Sequence, residues 1–451
     1  MRILFCYPNL HMRVTIPGGI SILSACLKRA GYNDIELFDG TWFTQDDGTA
    51  DRNAERVKRG QVKPYQYNWS TNDGELYSQW RKKVLEYNPD VIISSIVEDT
   101  FVIWKKMMDE VSDCKFTSIV GGVFPTSAPH IFDGLCDYIC RGEGDEAIPE
   151  MVSAIEKGES CSDIPNVYPN PLRYALDVNT LPIGDLTIFP EKSLYRPFKG
   201  KIVKIGLLET QRGCPFTCAF CNSPEKTIIY KKENAGKFHR HRSIKHIEKE
   251  VKHLVEQHKV EFMWIITDTL LTMSPKDFDD FCAMWKEYGS LPFWCQTRPE
   301  LLTDYQAKKL VEIGCASISI GVEHGNAEYR AKVIGRKYDN QLALDAFDRA
   351  YYNGLNTDCN FIVGYPYETL EYAWDTVNFA RQLKCKDINC AIFTPYHGTK
   401  LRKVCEDEGF IDKNVICQLN TEGNSMLDMP PPYMNKEEIK FMYDNFVEHI
   451  Q

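Results

Sequence analysis

Apolar and polar positions alternate along the first 160 residues in a regular way. Short apolar runs at RILFCY (2–7), DIELFD (34–39), PDVIISS (89–95), FTSIVGG (116–122) and DYIC (137–140) predict five strands. Between the first two, Ile20, Leu23, Leu27 and Ala30 recur at helical spacing and Gly31 stops the turn. A second helical pattern covers about 75–87. Strands separated by helices predict an α/β unit, an open, doubly wound, Rossmann-like parallel sheet. Such sheets bind ligands outside the carboxyl ends of their strands. The loops to watch begin at Pro8, Asp39, Ser94, Gly121 and Arg141.

Residues 161–200 break this rhythm with Pro165, Pro169, Pro171, Pro182, Pro190 and Pro197, the composition of a linker. Alternation resumes over 201–400, with strands predicted at KIVKIGLLET, EFMWIIT, PFWCQTR, ASISIGVE, DCNFIVG and INCAIFTP. Helical patterns separate them, one capped by Ser243 and another by Ser274 with Pro275 in its first turn. Six βα units are too few for a closed eight-stranded barrel and predict a partial (β/α)6 barrel, with its chemistry at the carboxyl ends of the strands. Residues 401–451 read as a short helical C-terminal region. Residues 40–80 form a polar, aromatic insertion bearing Trp42, Tyr65, Tyr67, Trp69 and Trp80, to which the pattern assigns no fold.

Composition narrows the classes. The 451 residues suit about three units of structure, and 43% apolar content supports real cores. No run reaches the ~20 apolar residues of a membrane span, and the amino end lacks a secretory signal. A cytoplasmic protein is the expectation. Seventeen scattered cysteines do not describe a disulfide framework. A net charge of −10 argues against a nucleic-acid partner, although KFHRHRSIKH (237–246) is locally basic, a pattern more often found at a solvated helix entrance.

The sharpest chemistry is ETQRGCPFTCAFCNSP, which sets Cys214, Cys218 and Cys221 in a CxxxCxxC array after the first strand of the second unit. Three thiolates on one short loop can converge on a soft metal centre and would leave one iron of a four-iron cluster open. A zinc site completed by His239 or His241 is the alternative, though zinc sites usually present paired CxxC elements.

With Phe220 before the last cysteine, and with TDTLLT, ISIGVEHGN, FIVGYPYET and TPYHGT at successive strand ends, residues 200–400 resemble the radical S-adenosylmethionine (SAM) superfamily. The resemblance implies a 4Fe-4S cluster on the three cysteines, whose open iron chelates SAM before one electron generates a 5'-deoxyadenosyl radical. It places Phe220, Thr267, Asp268, Thr269, Glu323 and Gly364 around SAM, with Arg298 and Arg336 as weaker candidates.

PGGISILSACLKRAGY, IVGGVFPTSAPH and DYICRGEGDEAIPEM, in that order, resemble the cobalamin-binding domain that precedes the radical core in one subgroup. That resemblance implies a corrin bordered by Ser94, Ser95, Gly121, Gly122, Gly142, Glu143 and Gly144. Many cobalamin domains carry DxHxxG, whose histidine ligates cobalt; here His11 lacks the aspartate and the glycine.

The expectation is a cobalamin-dependent radical methyltransferase acting on an unactivated carbon, with an external one-electron donor and an unidentified small-molecule or peptide substrate. No catalytic residue is named. The runner-up keeps the cofactors but ends in cyclisation, oxidation or rearrangement. A methylthiotransferase would need a second cysteine triad, which Cys6, Cys26, Cys114, Cys136 and Cys140 do not form. A zinc-stabilised, non-catalytic binding module is the remaining class.

Overall fold

The computed structural model describes residues 1–14, 16–45, 56–289, 291–418 and 423–450. Five parallel strands, β1 (Ile3–Tyr7), β2 (Ile35–Asp39), β3 (Val91–Ser95), β4 (Thr117–Gly121) and β5 (Tyr138–Ile139), form the first sheet in the order β2-β1-β3-β4-β5. The chain order reverses between β1 and β3, so their carboxyl ends open the crevice in which such sheets bind ligands. Both faces are covered. Ile3, Phe5, Val91 and Ile93 face the shared core with the barrel, while Leu4, Ile92 and Ile96 pack with Trp80 and Trp104 on the other side. Near-continuous apolar strands of this kind are what a sheet buried on both faces requires.

The second sheet runs β14-β13-β12-β11-β10-β7-β6. Six parallel strands make the partial barrel: β7 (Lys201–Leu208), β10 (Phe262–Ile265), β11 (Phe293–Thr297), β12 (Cys315–Glu323), β13 (Thr357–Val363) and β14 (Asp387–Ile392). The seventh, β6 (Tyr195–Phe198), pairs antiparallel with β7 and corrects the expectation that the linker runs unstructured to residue 200. Its two-residue turn, Lys199 and Gly200, has positive φ at both positions, the geometry of a tight hairpin. Pro197 hid this strand in the sequence; proline is tolerated because β6 is an edge. A short pair, β8 (Gln211–Arg212) with β9 (Arg240–His241), brackets the cysteine loop and the helix Asn222–Lys232.

Along the barrel strands the outward row is apolar and packs on the helices. A Cβ at Gly206 would meet Met263 Sδ at 2.9 Å and Leu254 of helix Ile244–His258 at 3.2 Å. The opposite row points into the lumen. Ser243 and Ser274 cap their helices as their spacing predicts, accepting from the N–H groups of His246 and Asp277.

A sheet of this length leaves two exposed edges, β6 and β14, whose unpaired backbone needs cover. The described part of the insertion supplies it. Arg56 donates to Asn389 Oδ1 on β14 at 2.8 Å, the Pro64 carbonyl lies against the Gly200 turn, and the Trp69 ring meets Tyr195 of β6 at 5.4 Å. Residues 46–55 of the insertion lie outside the described residues. The helix Lys436–Ile450 buries Ile439, Met442 and Phe446 against the barrel. No helix among the described residues is long and apolar enough to cross a membrane.

Candidate functional site

The cysteine loop hangs from the carboxyl end of β7 and is clamped on two sides. Ala219 donates its N–H to the Ile334 carbonyl at 2.9 Å and accepts from the Leu401 N–H at 3.0 Å. Asn222 Nδ2 donates to the His397 carbonyl at 3.0 Å. Gly213, at φ +83°, turns against Phe238, where a Cβ would fall 2.7 Å from the ring. That contact accounts for glycine immediately before Cys214.

Two guanidinium groups converge on Cys218. Arg298 Nη1 donates to its Sγ at 3.4 Å, while the Arg298 guanidinium lies over the Phe216 ring at 3.8 Å. Arg336 faces the same sulfur and pairs with Glu323 at 2.9 Å. Both arginines, the weaker candidates of the sequence, are buried. Glu323 itself is buried, and desolvation pushes its carboxyl up against the opposing pull of Arg336 and Arg298. Its φ of +72° lies in the left-handed region, beside a register shift between β12 and β13. Strain of this kind in a non-glycine residue is concentrated at functional sites.

The loop after β10 is tied to the loop after β7. Thr210 and Thr267 share a hydroxyl contact at 2.8 Å, Ser223 Oγ donates to Asp268 Oδ2 at 2.7 Å, and Thr269 meets Thr297 at 3.4 Å. Asp268 acts electrostatically on Cys214 and Cys221. The Tyr365 ring lies 6.0 Å from that of Phe220, and its hydroxyl is buried with no hydrogen-bond partner among the described residues. At Gly364 a Cβ would sit 2.8 Å from Ile439 Cγ2 of the C-terminal helix. The Gly364 N–H goes to Glu368 Oε2 at 2.6 Å.

The seven residues assigned to the corrin line one cavity of about 340 Å³ between the two domains. Gly18, Gly19, Gly121, Gly122, Gly142 and Gly144 line its first wall, together with apolar side chains such as Phe5, Leu23 and Ile148. A Cβ at Gly19 would meet nothing within 4 Å, whereas one at Gly122 (φ +111°) would strike the Ile96 carbonyl at 2.7 Å. Of the paired serines, Ser94 turns its hydroxyl away, accepting from Trp104 Nε1 at 3.1 Å. Ser95, next along the strand, takes the opposite face.

The barrel builds the second wall from charges that sequence reasoning missed. Arg212 pairs with Asp145 at 2.6 Å and Glu143 at 3.2 Å, Arg240 also pairs with Glu143, and Arg141 pairs with Glu233 at 2.7 Å. Arg242 holds Glu209 at 3.1 Å and also Glu250, whose carboxyl burial pushes up to about 7. Arg240 and Arg242 belong to the basic run at 237–246; Arg240 pairs across the domain junction and Arg242 within the barrel wall, so neither belongs to a solvated helix entrance. Lys226, on the helix that follows Cys221, lines the cavity and feels Asp268, Cys221 and Glu143, linking the cluster loop to the cavity. Burial lowers its pKa. The signal available in sequence was position alone: these residues follow strand ends.

The three thiols remain free, and among the described residues no three His, Cys, Asp or Glu side chains gather around one ion. Three thiols that each ligate a different iron need no such point. His239 and His241, the alternative zinc partners, meet each other with ring centroids 4.7 Å apart.

The radical SAM superfamily profile matches residues 208–380, the span that carries the cysteine loop and most of the barrel. Residues 208–380 are a radical SAM domain. The chain is 27% identical over 371 residues to an uncharacterized methyltransferase of Pyrococcus horikoshii, covering 78% of this chain and 76% of that protein. It is 26% identical over 436 residues to the anaerobic magnesium-protoporphyrin IX monomethyl ester cyclase of Rubrivivax gelatinosus, covering 88% and 68%. Among solved structures, the radical SAM methyltransferase TsrM from Kitasatospora setae, with cobalamin and a [4Fe-4S] cluster bound, superposes with a TM-score of 0.64 at 14% identity, over 100% of this chain and 88% of that one. At that identity the superposition establishes a shared fold.

Proposed function

We propose that this chain is a cobalamin-dependent radical SAM methyltransferase that alkylates an unactivated carbon of a small molecule. The observation that carries the reading is the cavity between the domains. It gathers all seven residues that sequence order assigned to a corrin, and Lys226 joins it to the cysteine loop.

The residues fit the groups they would hold. A glycine-walled cleft accommodates a flat, bulky macrocycle where side chains would intrude. Cys214, Cys218 and Cys221 would hold the cluster, with Arg298 and Arg336 offsetting the negative charge that thiolates bring into a buried site. The unpartnered Tyr365 hydroxyl, beside Glu323 and Arg336, is a buried donor that SAM would satisfy. When bound, the cluster supplies the electron that cleaves SAM and the corrin supplies the methyl carrier.

The protein's own part is placement and exclusion. The threonine contacts Thr210–Thr267 and Thr269–Thr297 fix the loops that face SAM. Glu323, held by Arg336, presents a carboxylate at a strand end, where ribose hydroxyls would donate to it. The ion pairs at Arg212 and Arg141 close the domain junction, which keeps water away from reactive species. An external one-electron donor is required.

The cyclase of Rubrivivax gelatinosus supports a second reading, in which the same cofactors end in ring formation without methyl transfer. Product analysis separates the two once a substrate is found. S-adenosylhomocysteine formed together with 5'-deoxyadenosine supports methylation; 5'-deoxyadenosine alone supports the second reading.

A further inference from the structure

The lumen of the partial barrel is polar where a packed barrel would be apolar. Register places Trp264 beside Trp294, and the same row continues through Ser319, Asp358, Asn360 and Asn389. The alternate row, with Phe293, Ile318, Ile320 and Phe361, is at most 1% exposed. A closed barrel fills this space with branched apolar side chains. Here the polar row lines an interior meant for something else.

Arg196 of β6 enters that interior. Its guanidinium carbon lies 4.1 Å above the Trp264 ring, and Trp264 stacks on Trp294 with centroids 4.7 Å apart. Among the described residues no carboxylate pairs with this guanidinium; its electrostatic neighbours are Tyr67, Tyr7 and Arg56. Arg56 brings a second cation, bonded to the neutral Asn389 at 2.8 Å. Among the described residues the acid that acts on Arg56 is Asp358, already taken by Trp294 Nε1 at 3.3 Å and Ser317 Oγ at 3.0 Å, with burial disfavouring its charge. Two half-buried guanidiniums with so little counter-charge among the described residues favour an anion that joins them. An arginine stacked on an aromatic face is preorganised to grip an oxyanion with both nitrogens. The indoles, together with Tyr67 and Trp69 of the insertion (ring centroids 5.0 Å apart), supply ring-shaped apolar surface nearby.

We propose that the lumen is the substrate seat and selects an oxyanion, a carboxylate or a phosphate, carried on an apolar ring-bearing body, with Arg196 as its anchor. This rests on the reading of the chain as a radical SAM enzyme and adds the substrate class. Arg196 is a binding residue, and no step of the chemistry runs through it.

Equilibrium dialysis of the reconstituted full chain with 1-naphthoate, 1-naphthyl phosphate and 1-naphthamide tests the proposal. The wild type should bind at least one anion about tenfold more tightly than the amide, as a charge-assisted bidentate contact provides. Arg196→Gln should abolish that preference and Arg196→Lys should restore part of it, with iron and corrin spectra unchanged in both. Whichever anion binds more tightly identifies the head group. Equal binding of the amide, a preference that survives Arg196→Gln, or no binding of any probe overturns the proposal. Loss of the cluster or corrin spectra in the wild type would instead count against the enzyme reading and leave the probe preference to be judged separately.

Discussion

The two interior spaces of this protein treat charge in opposite ways. In the wall between the domains every guanidinium has a carboxylate: Arg212 has Asp145 and Glu143, Arg242 has Glu209 and Glu250, and Arg240 has Glu143. In the barrel lumen Arg196 rests on an indole, and among the described residues it has no acidic partner. The first arrangement is complete in the protein alone and shapes a container. Among the described residues the second is left unbalanced, as the proposed seat for a charged ligand would be.

The largest expected effect separates the cluster from the corrin. Cys218→Ala should remove iron and all 5'-deoxyadenosine formation on anaerobic reconstitution while cobalt uptake persists, checked by metal analysis of the same sample. Gly19→Phe should do the converse. Because a Cβ there meets nothing within 4 Å, the ring can occupy the cavity without disturbing the fold. Cobalt uptake should fall by about tenfold or more, as for loss of about 1.4 kcal/mol or more of binding, with iron content unchanged.

Stability then tests the contrast directly. Arg212→Gln strands the buried Asp145 carboxylate and should cost about 3 kcal/mol, read from denaturant midpoints. Glu250→Gln gives a pH-dependent effect. The folded carboxyl titrates near 7 against an ordinary 4.5, so its protonated form is favoured in the fold. Its contribution is complete below pH 4.5 and is lost as pH rises through 7. The variant should therefore gain on the wild type by up to about 3 kcal/mol between pH 4.5 and 8. Arg196→Gln should change stability by less than about 1 kcal/mol, the size of a cation–π contact, because no carboxylate is stranded by it. A loss as large as that of Arg212→Gln would erase the contrast between the two spaces.

Much of this organisation was legible in the chain. The eleven apolar runs became strands, because period and length are local properties. The triad was legible because three cysteines on one loop need no tertiary knowledge. The glycine set was legible because PGG, VGG and RGEG each follow or open an element of the first sheet. Other features were not. Strand β6 was masked by Pro197, and Arg196 and Trp264 are 68 residues apart in sequence but in contact in space. The ion-paired wall joins Asp145 to Arg212 and Glu143 to Arg240 across a domain boundary, and no periodicity reports such partners. Nor did the sequence show that Gly364, assigned to SAM by its motif, also packs against Ile439 from the far end of the chain.

The central claim is that the cavity between the domains holds a corrin next to a three-cysteine cluster. Anaerobic reconstitution with iron, sulfide and hydroxocobalamin, followed by absorption spectra and metal analysis, addresses it most directly. The expected result is a brown protein with corrin bands, about four irons and one cobalt per chain, and Gly19→Phe lowering cobalt alone. A protein that assembles its cluster yet takes up no cobalt would contradict the claim.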